Sequence, residues 1–251
     1  MDTGGMRVAI VTGAGRGIGI AVARRFVLDG YAVAVVDLVQ DRANDVASSL
    51  RREGGQAIAI QCDVAQTDQV EAMTRVLMER FGRIDVLVNC AGAYAPRRSV
   101  LETTDEVWDL VMDSNLKGTF LCIRAVLPHM YAAGSGQIIN FSSNAGRSTA
   151  TALGCEYTAA KAGVLGLTRH VAREAAEHGV RVNVVAPGPT DVCRLHDSVE
   201  DGEAATIAKS IPLGRLADPY EIASVVSFLA SDDASFMIGA TVDVNGGLLM
   251  M

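Results

Sequence analysis

Met6-Arg7-Val8-Ala9-Ile10-Val11-Thr12-Gly13-Ala14-Gly15-Arg16-Gly17-Ile18-Gly19 begins as an apolar, β-branched run and ends in four glycines within seven residues. The run 6–12 suits a strand buried on both faces of a sheet. Residues 20–29 carry a helical pattern that stops at Gly30, and 31–38 is a second buried strand. Strand, glycine-rich turn, helix and strand in that order start a parallel sheet. The turn exposes backbone N–H groups at the positive end of the helix dipole, a ready site for a pyrophosphate. That site takes in Gly13, Arg16, Gly17, Ile18 and Gly19. The spacing is G-x-x-x-G-x-G, and the commoner G-x-G-x-x-G fails at Ile18.

The second strand closes on Asp37 and Leu38. A carboxylate there, about 20 residues beyond the glycines, is placed to accept hydrogen bonds from an adenosine ribose. It repels a 2′-phosphate, so NAD is expected over NADP, with the flexible Arg16 as a counter-signal. The plainer alternative for Asp37 is a helix N-cap. Residues 41–53 read as a helix stopped by Gly54-Gly55, and 56–61 as a strand closed by Cys62-Asp63-Val64. Asp63 is in reach of an adenine amino group. Residues 68–81 read as a helix, and 84–88 as a strand running into Asn89-Cys90-Ala91-Gly92. Small residues such as Ala91 and Gly92 let the backbone pass close against a cofactor.

A long helix is expected over 104–133, with Asn115 mid-way beside a glycine, an unfavourable pair inside a helix. Either a kink frees a carbonyl or the amide there to bind water, or the site is a plain helix defect. A strand over 134–142 delivers Ser142 and Ser143 to its end, and strand alternation points one of them inward; alignment on the Gly146 turn selects Ser143. A helix over 156–178 then presents Tyr157 and Lys161 four residues apart, hence on one face. A phenol beside an ammonium is stabilised in its ionised form, and a nearby serine hydroxyl can hold a substrate oxygen while the phenol moves its proton. A strand over 180–186 leads into Pro187-Gly188-Pro189-Thr190. Residues 191–210 lose a clean period and read as a mobile lid. A helix over 219–230 and a strand over 240–244 complete the pattern, a doubly wound parallel α/β sheet in one domain, 1–251.

Net charge is −7 with no block of Lys or Arg, which argues against nucleic acid or anionic membrane as partner. Glycine, proline, asparagine and charges break every apolar run before membrane-spanning length. No secretory signal is legible in residues 1–6, and five scattered cysteines without a Cys-x-x-Cys pair suit a reduced, cytoplasmic protein. His129, His170, His178 and His196 are scattered, and no metal site is expected.

Gly13-x-x-x-Gly17-x-Gly19, Asn89-Cys90-Ala91-Gly92, Asn115, Ser143, Tyr157-x-x-x-Lys161 and Pro187-Gly188, in this order, resemble the short-chain dehydrogenase/reductase family over nearly the whole chain. The resemblance implies a three-layer Rossmann-type fold, a nicotinamide cofactor, and interconversion of a secondary alcohol and its ketone. It makes Tyr157 the general acid/base and Ser143 the holder of the substrate oxygen. Lys161 would lower the phenol's pKa and bind the nicotinamide ribose, and Asn115 would hold a water linking Lys161 to solvent. Asp37 matches the position that selects NAD, Asp63 and Val64 would contact adenine, Asn89 would support the central strand, and the chain after Pro187-Gly188 would embrace the nicotinamide. Two departures stand out. Cys90 replaces an asparagine, and Val192 replaces the threonine that binds the carboxamide, a task open to Thr190. The family also implies a homotetramer built through the Tyr157 helix and the C-terminal segment.

The expected substrate wall, residues 93–95, 144–147 and 153–155 with the lid, is small or apolar and suits a cyclic or aryl alcohol. Arg97, Arg98, Arg147 and Arg194 fall near its mouth and are either anion ligands for a carboxylate or coenzyme A phosphate, or solvated surface groups. The stretches 187–191 and 211–216 resemble family members that oxidise hydroxy-alicyclic acids or their thioesters. Two other functions compete with an NAD-dependent alcohol dehydrogenase: an NADPH-dependent 3-oxoacyl-thioester reductase, opposed by Asp37, and a non-catalytic dinucleotide sensor, opposed by the intact Ser143, Tyr157 and Lys161.

Overall fold

Apolar β-branched runs punctuated by glycine give seven strands, all parallel, in a computed structural model that describes residues 5–148, 153–192, 195 and 202–251. In chain order the elements begin β1 (Val8–Thr12), α1 (Ile18–Leu28), β2 (Ala32–Asp37), α2 (Gln40–Arg52), β3 (Ala57–Gln61), α3 (Thr67–Phe81) and β4 (Val86–Asn89). They continue through α4 (Asp105–Met112), a π-helical turn (Asp113–Lys117), α5 (Gly118–Ala133), β5 (Gly136–Phe141), α6 (Cys155–Ala175) and β6 (Val180–Pro187). The last are α7 (Glu203–Ser210), α8 (Pro219–Ala230) and β7 (Thr241–Val244). The sheet order is β3-β2-β1-β4-β5-β6-β7. The order reverses between β1 and β4, and ligands of doubly wound sheets bind in the crevice beyond the strand ends at such a point.

Both faces of the sheet are covered. Strands β1 and β2 show no polar alternation and are buried at every position, as expected where helices lie on each side. One apolar layer joins the sheet to α1, α2 and α8 through Phe26, Leu50, Ile222 and Leu229. The other joins it to α3, α5 and α6 through Met73, Leu77, Met130 and Val171. A cation also works in the first layer. Arg181 of β6 donates to the carbonyls of Leu229 and Ala234 from Nη1 and of Ser231 from Nη2, each at 2.9 Å. Its guanidinium thereby closes the C-terminal end of α8, where carbonyls lack helical partners and the dipole favours positive charge.

The structure revises several expected boundaries. The helix expected over 104–133 runs through but is widened at Asp113–Lys117 into a π turn, and the one expected over 156–178 ends at Ala175 in a 3₁₀ turn, Ala176–His178. Strand β5 is shorter than 134–142, because Gly134 takes a left-handed φ of 65° to end α5. Part of the expected lid is the helix Glu203–Ser210, which buries none of its residues and so left no hydrophobic period to read. Residues 193–194 and 196–201, with Cys193, Arg194 and His196, lie outside the described residues.

Candidate active site

The crevice beyond the strand ends is one cleft of about 1000 Å³. Its first wall is the glycine turn. Gly13 and Gly17 adopt φ of 65° and 59°, a region that costs glycine nothing. A side chain at Gly13 would stand 2.8 Å from Ala91 Cα, and one at Gly19 would run into the Gly13 carbonyl oxygen. Gly17 starts α1, so the turn presents N–H groups at a helix N-terminus. Thr12, which the sequence reading passed over, ties this wall to the next. Its hydroxyl oxygen accepts from the N–H groups of Cys90 and Ala91, each at 3.1 Å.

At one end of the cleft stands Asp37, only 6% exposed. Gly15 N–H donates to its Oδ2 at 2.9 Å and Val39 N–H to its Oδ1 at 3.0 Å. The N-cap of α2 is Val39, with no side-chain cap bond, so the N-cap role does not describe Asp37. Leu38, Asp63 and Val64 line the same end, and so do Arg16 and Arg42; the latter escaped the sequence reading. A closely packed glycine turn, a buried carboxylate at the tip of β2 and the small Ala91-Gly92 wall together fit a dinucleotide. Cys62 also reaches this wall, but burial, reinforced by Asp63 and Asp68, pushes its thiol up to about 12. It is a packing group and not a nucleophile.

At the other end, α6 delivers Tyr157 and Lys161, and the Lys161 ammonium lies 5.6 Å from the centroid of the Tyr157 ring. Lys161 Nζ also donates to the Phe141 carbonyl at 2.9 Å. Strand β5 ends at Phe141, so alternation no longer decides between the two serines and both residues line the cleft. Their hydrogen bonds separate them. Ser142 Oγ donates to the Lys161 carbonyl at 2.8 Å. Ser143 Oγ accepts from Ala145 N–H at 3.2 Å, which leaves its proton for a substrate oxygen.

Asn115 occupies the π turn, a feature common at functional sites. Its Nδ2 donates to the carbonyls of Ala93 at 2.7 Å and Val111 at 2.8 Å. The amide nitrogen is thus taken up by two main-chain carbonyls inside the widened turn. The Asn115 carbonyl accepts from Thr119 Oγ1 at 2.6 Å and keeps a second lone pair. Pro187, Gly188 and Thr190 form the facing wall with Val192; Thr190 Oγ1 donates to the Gly188 carbonyl at 3.1 Å.

Of the expected site residues, Asn89 is the one that the structure places away from the cleft wall. Its Nδ2 donates to Asn140 Oδ1, and Asn140 Nδ2 donates to Thr168 Oγ1, both at 2.8 Å. The chain locks β4 to β5 and to α6, the sheet-supporting place that the family resemblance gives Asn89. The arginines divide similarly. Neither Arg97 nor Arg98 lines the cleft, and Arg147 is paired with Asp243 at 3.2 Å. His178 is stacked on Tyr131 with ring centroids 3.9 Å apart. His129 and His170 lie off the cleft. Among the described residues no helix is long and apolar enough to cross a membrane, and no three His, Cys, Asp or Glu side chains are grouped to hold a metal.

The family model described as "Enoyl-(Acyl carrier protein) reductase" matches residues 13–249. The chain is 44% identical over 246 residues to "Short-chain reductase protein NovJ" of Streptomyces niveus, covering 96% of this chain and 93% of that one. It belongs to the short-chain dehydrogenase/reductase family. Two further relatives of this dehydrogenase bracket the chemistry. One is "Cis-4-hydroxycyclohexanecarboxylate dehydrogenase" of Sinomonas cyclohexanicum, 44% identical over 241 residues and 96% of each chain. The other is "3-oxoacyl-[acyl-carrier-protein] reductase FabG" of Staphylococcus aureus, 41% identical over 247 residues, 96% of this chain and 98% of that one. The crystal structure of gox2181 superposes with a TM-score of 0.94 at 36% identity, covering 99% of this chain and 96% of that one. The protein is therefore an oxidoreductase acting on CH–OH with a nicotinamide cofactor.

Proposed function

We propose that this short-chain dehydrogenase uses NAD to interconvert a cyclic, aryl or hydroxyacyl secondary alcohol and its ketone. One observation carries the reading: a single cleft holds Asp37 and the glycine turn at one end and Ser143, Tyr157 and Lys161 at the other. Asp37, bonded by two backbone N–H groups, is aimed where an adenosine ribose lies and disfavours a 2′-phosphate. Gly13, Arg16, Gly17, Ile18 and Gly19 hold the pyrophosphate, and Ala91, Gly92, Pro187, Gly188 and Thr190 wall the nicotinamide, with Thr190 serving in place of Val192. The bound nicotinamide supplies the hydride acceptor or donor.

The chain's own residues manage the substrate oxygen and its proton. Ser143 donates a hydrogen bond to that oxygen. Tyr157 takes the hydroxyl proton during oxidation and returns it during reduction, and Lys161 stabilises the phenolate by its charge. Asn115 braces the π turn beside them and offers its carbonyl to a water on the path between Lys161 and solvent. Tyr94, Leu153, Leu195 and Ile207 give the substrate end an apolar lining, in keeping with a ring or acyl chain. The relatives named for a hydroxycyclohexanecarboxylate and for a 3-oxoacyl thioester support both substrate shapes.

An NADPH-dependent 3-oxoacyl-thioester reductase is the second reading, favoured by Arg16 and Arg42 on the cleft wall. A panel of secondary alcohols and 3-oxoacyl thioesters, followed by absorbance of the reduced cofactor, separates the two. Turnover of alcohols with NAD⁺ upholds the first; turnover of thioesters with NADPH alone replaces it with the second, and binding without turnover would mark a sensor. The reading places the protein in the cytoplasm as a homotetramer with no nucleic-acid or membrane partner. Phe236, 103% exposed, with Met250 and Met251 on the C-terminal segment, Leu101, and Trp108 on α4, which packs against α6, support burial between copies. Light scattering should give four times the chain mass of 26.4 kDa; a monomer removes the tetramer from the proposal.

A further inference from the structure

We propose that Ser142 and Gly146 are positioning residues, a joint that fixes where the Lys161 ammonium stands relative to the Tyr157 phenol. The inference rests on the reading of Tyr157 as the acid/base group. Three contacts from the end of β5 and the short segment after it converge on one residue of α6. The Phe141 carbonyl accepts from Lys161 Nζ at 2.9 Å. Ser142 Oγ, in a side chain 3% exposed, donates to the Lys161 main-chain carbonyl at 2.8 Å. Gly146 completes the joint by having no side chain. A Cβ there would stand 2.6 Å from both the carbon and the oxygen of the Lys161 carbonyl and 2.5 Å from Ser142 Oγ.

Lys161 is thus held at both ends, by its ammonium and by its backbone, and this removes the freedom of a long flexible side chain. The attraction between ammonium and phenolate depends on their separation. Tyr157 rides on α6 while the Lys161 ammonium is anchored to the end of β5, so a helix that slid or rotated against that strand end would change the separation with no catalytic side chain altered. The same joint sets the serine. Gly146 closes the 3₁₀ turn Asn144–Gly146, which Ser143 caps. Ser142 and Gly146 therefore bring Ser143, Tyr157 and Lys161 into one frame without touching the reacting atoms.

Tyrosinate absorbance, titrated with pH, tests the joint without any substrate. Subtracting the Tyr157→Phe protein isolates one phenol among five tyrosines. Of the other titratable groups, Glu156 is its chain neighbour on α6, Cys90, Tyr94 and Asp113 line the same cleft, and Arg147 is paired with Asp243. All are unchanged in the variants, so a moved midpoint reports on Lys161. Ser142→Ala and Gly146→Ala should each raise the Tyr157 midpoint, by roughly half a pH unit or more, whereas Ser142→Thr, which keeps the hydroxyl, should stay at the wild-type value. Thermal unfolding and NAD⁺ titration check that each variant is folded. Folded Ser142→Ala and Gly146→Ala proteins with an unmoved midpoint overturn the proposal, as does an equal rise in Ser142→Thr. If neither alanine variant folds, the joint is a folding element and the positioning role falls. A wild-type Tyr157 that titrates as an ordinary phenol sinks the acid/base reading itself, which is a separate result from a wild type that titrates low and variants that do not move.

Discussion

Tyr157→Phe should abolish most turnover while NAD⁺ still binds nearly as well as to the wild type. The substitution keeps the ring and removes only the hydroxyl, so the cleft wall and the glycine turn at its far end stay intact. What disappears is the group through which the proton passes. A positioned acid/base side chain contributes about 10²–10⁴-fold, and kcat should fall by that order, with the NAD⁺ dissociation constant, measured by fluorescence quenching, changing little. Lys161 and Ser143 cannot compensate. The ammonium already donates to the Phe141 carbonyl, and a serine hydroxyl ionises far above the working range. Turnover within a few-fold of wild type would show that the proton leaves by another route.

Cofactor choice is the second large effect. Asp37 is buried and already bonded by Gly15 and Val39, so its charge stands at a defined place beside the ribose site. Placing a phosphate next to such a carboxylate costs several kcal/mol, and about 1.4 kcal/mol is tenfold. kcat/KM with NAD⁺ should therefore exceed that with NADP⁺ by roughly a hundredfold or more. Asp37→Ala should narrow the gap from both sides. It removes a charged hydrogen-bond acceptor for the ribose, worth about 1.5–3 kcal/mol, and it leaves Arg16 and Arg42 on the same cleft wall with no opposing carboxylate at that position. Equal kcat/KM for the two cofactors in the unmutated enzyme would refute the role given to Asp37.

Much of the candidate site was legible because its signals are local. The glycine turn follows β1 and opens α1 within a dozen residues, and Tyr157 and Lys161 are one helical turn apart, so backbone geometry alone puts each group together. Contacts between distant segments were not legible. Thr12 holds the N–H groups of Cys90 and Ala91, and nothing near Thr12 in the chain announces it. Arg42 lies inside a polar helix, where it reads like any solvated arginine. Asn89 groups with the cofactor contacts in the sequence, yet its partner is Asn140, a pairing that depends on the register of β4 against β5.

By itself the sequence determined the alternation of strand and helix, the glycine turn between β1 and α1 and the placement of Tyr157 and Lys161 on one face of α6. Each follows from hydrophobic period, glycine conformation or helical spacing over a few residues. Tertiary structure alone gave Ser142 and Ser143 their different hydrogen-bond partners, turned Arg147 onto Asp243 and opened the π turn at Asn115. Those outcomes are choices of hydrogen-bond and ion-pair partner between segments far apart in the chain. Such a choice exists only once packing has brought the segments together and excluded water as the competing partner.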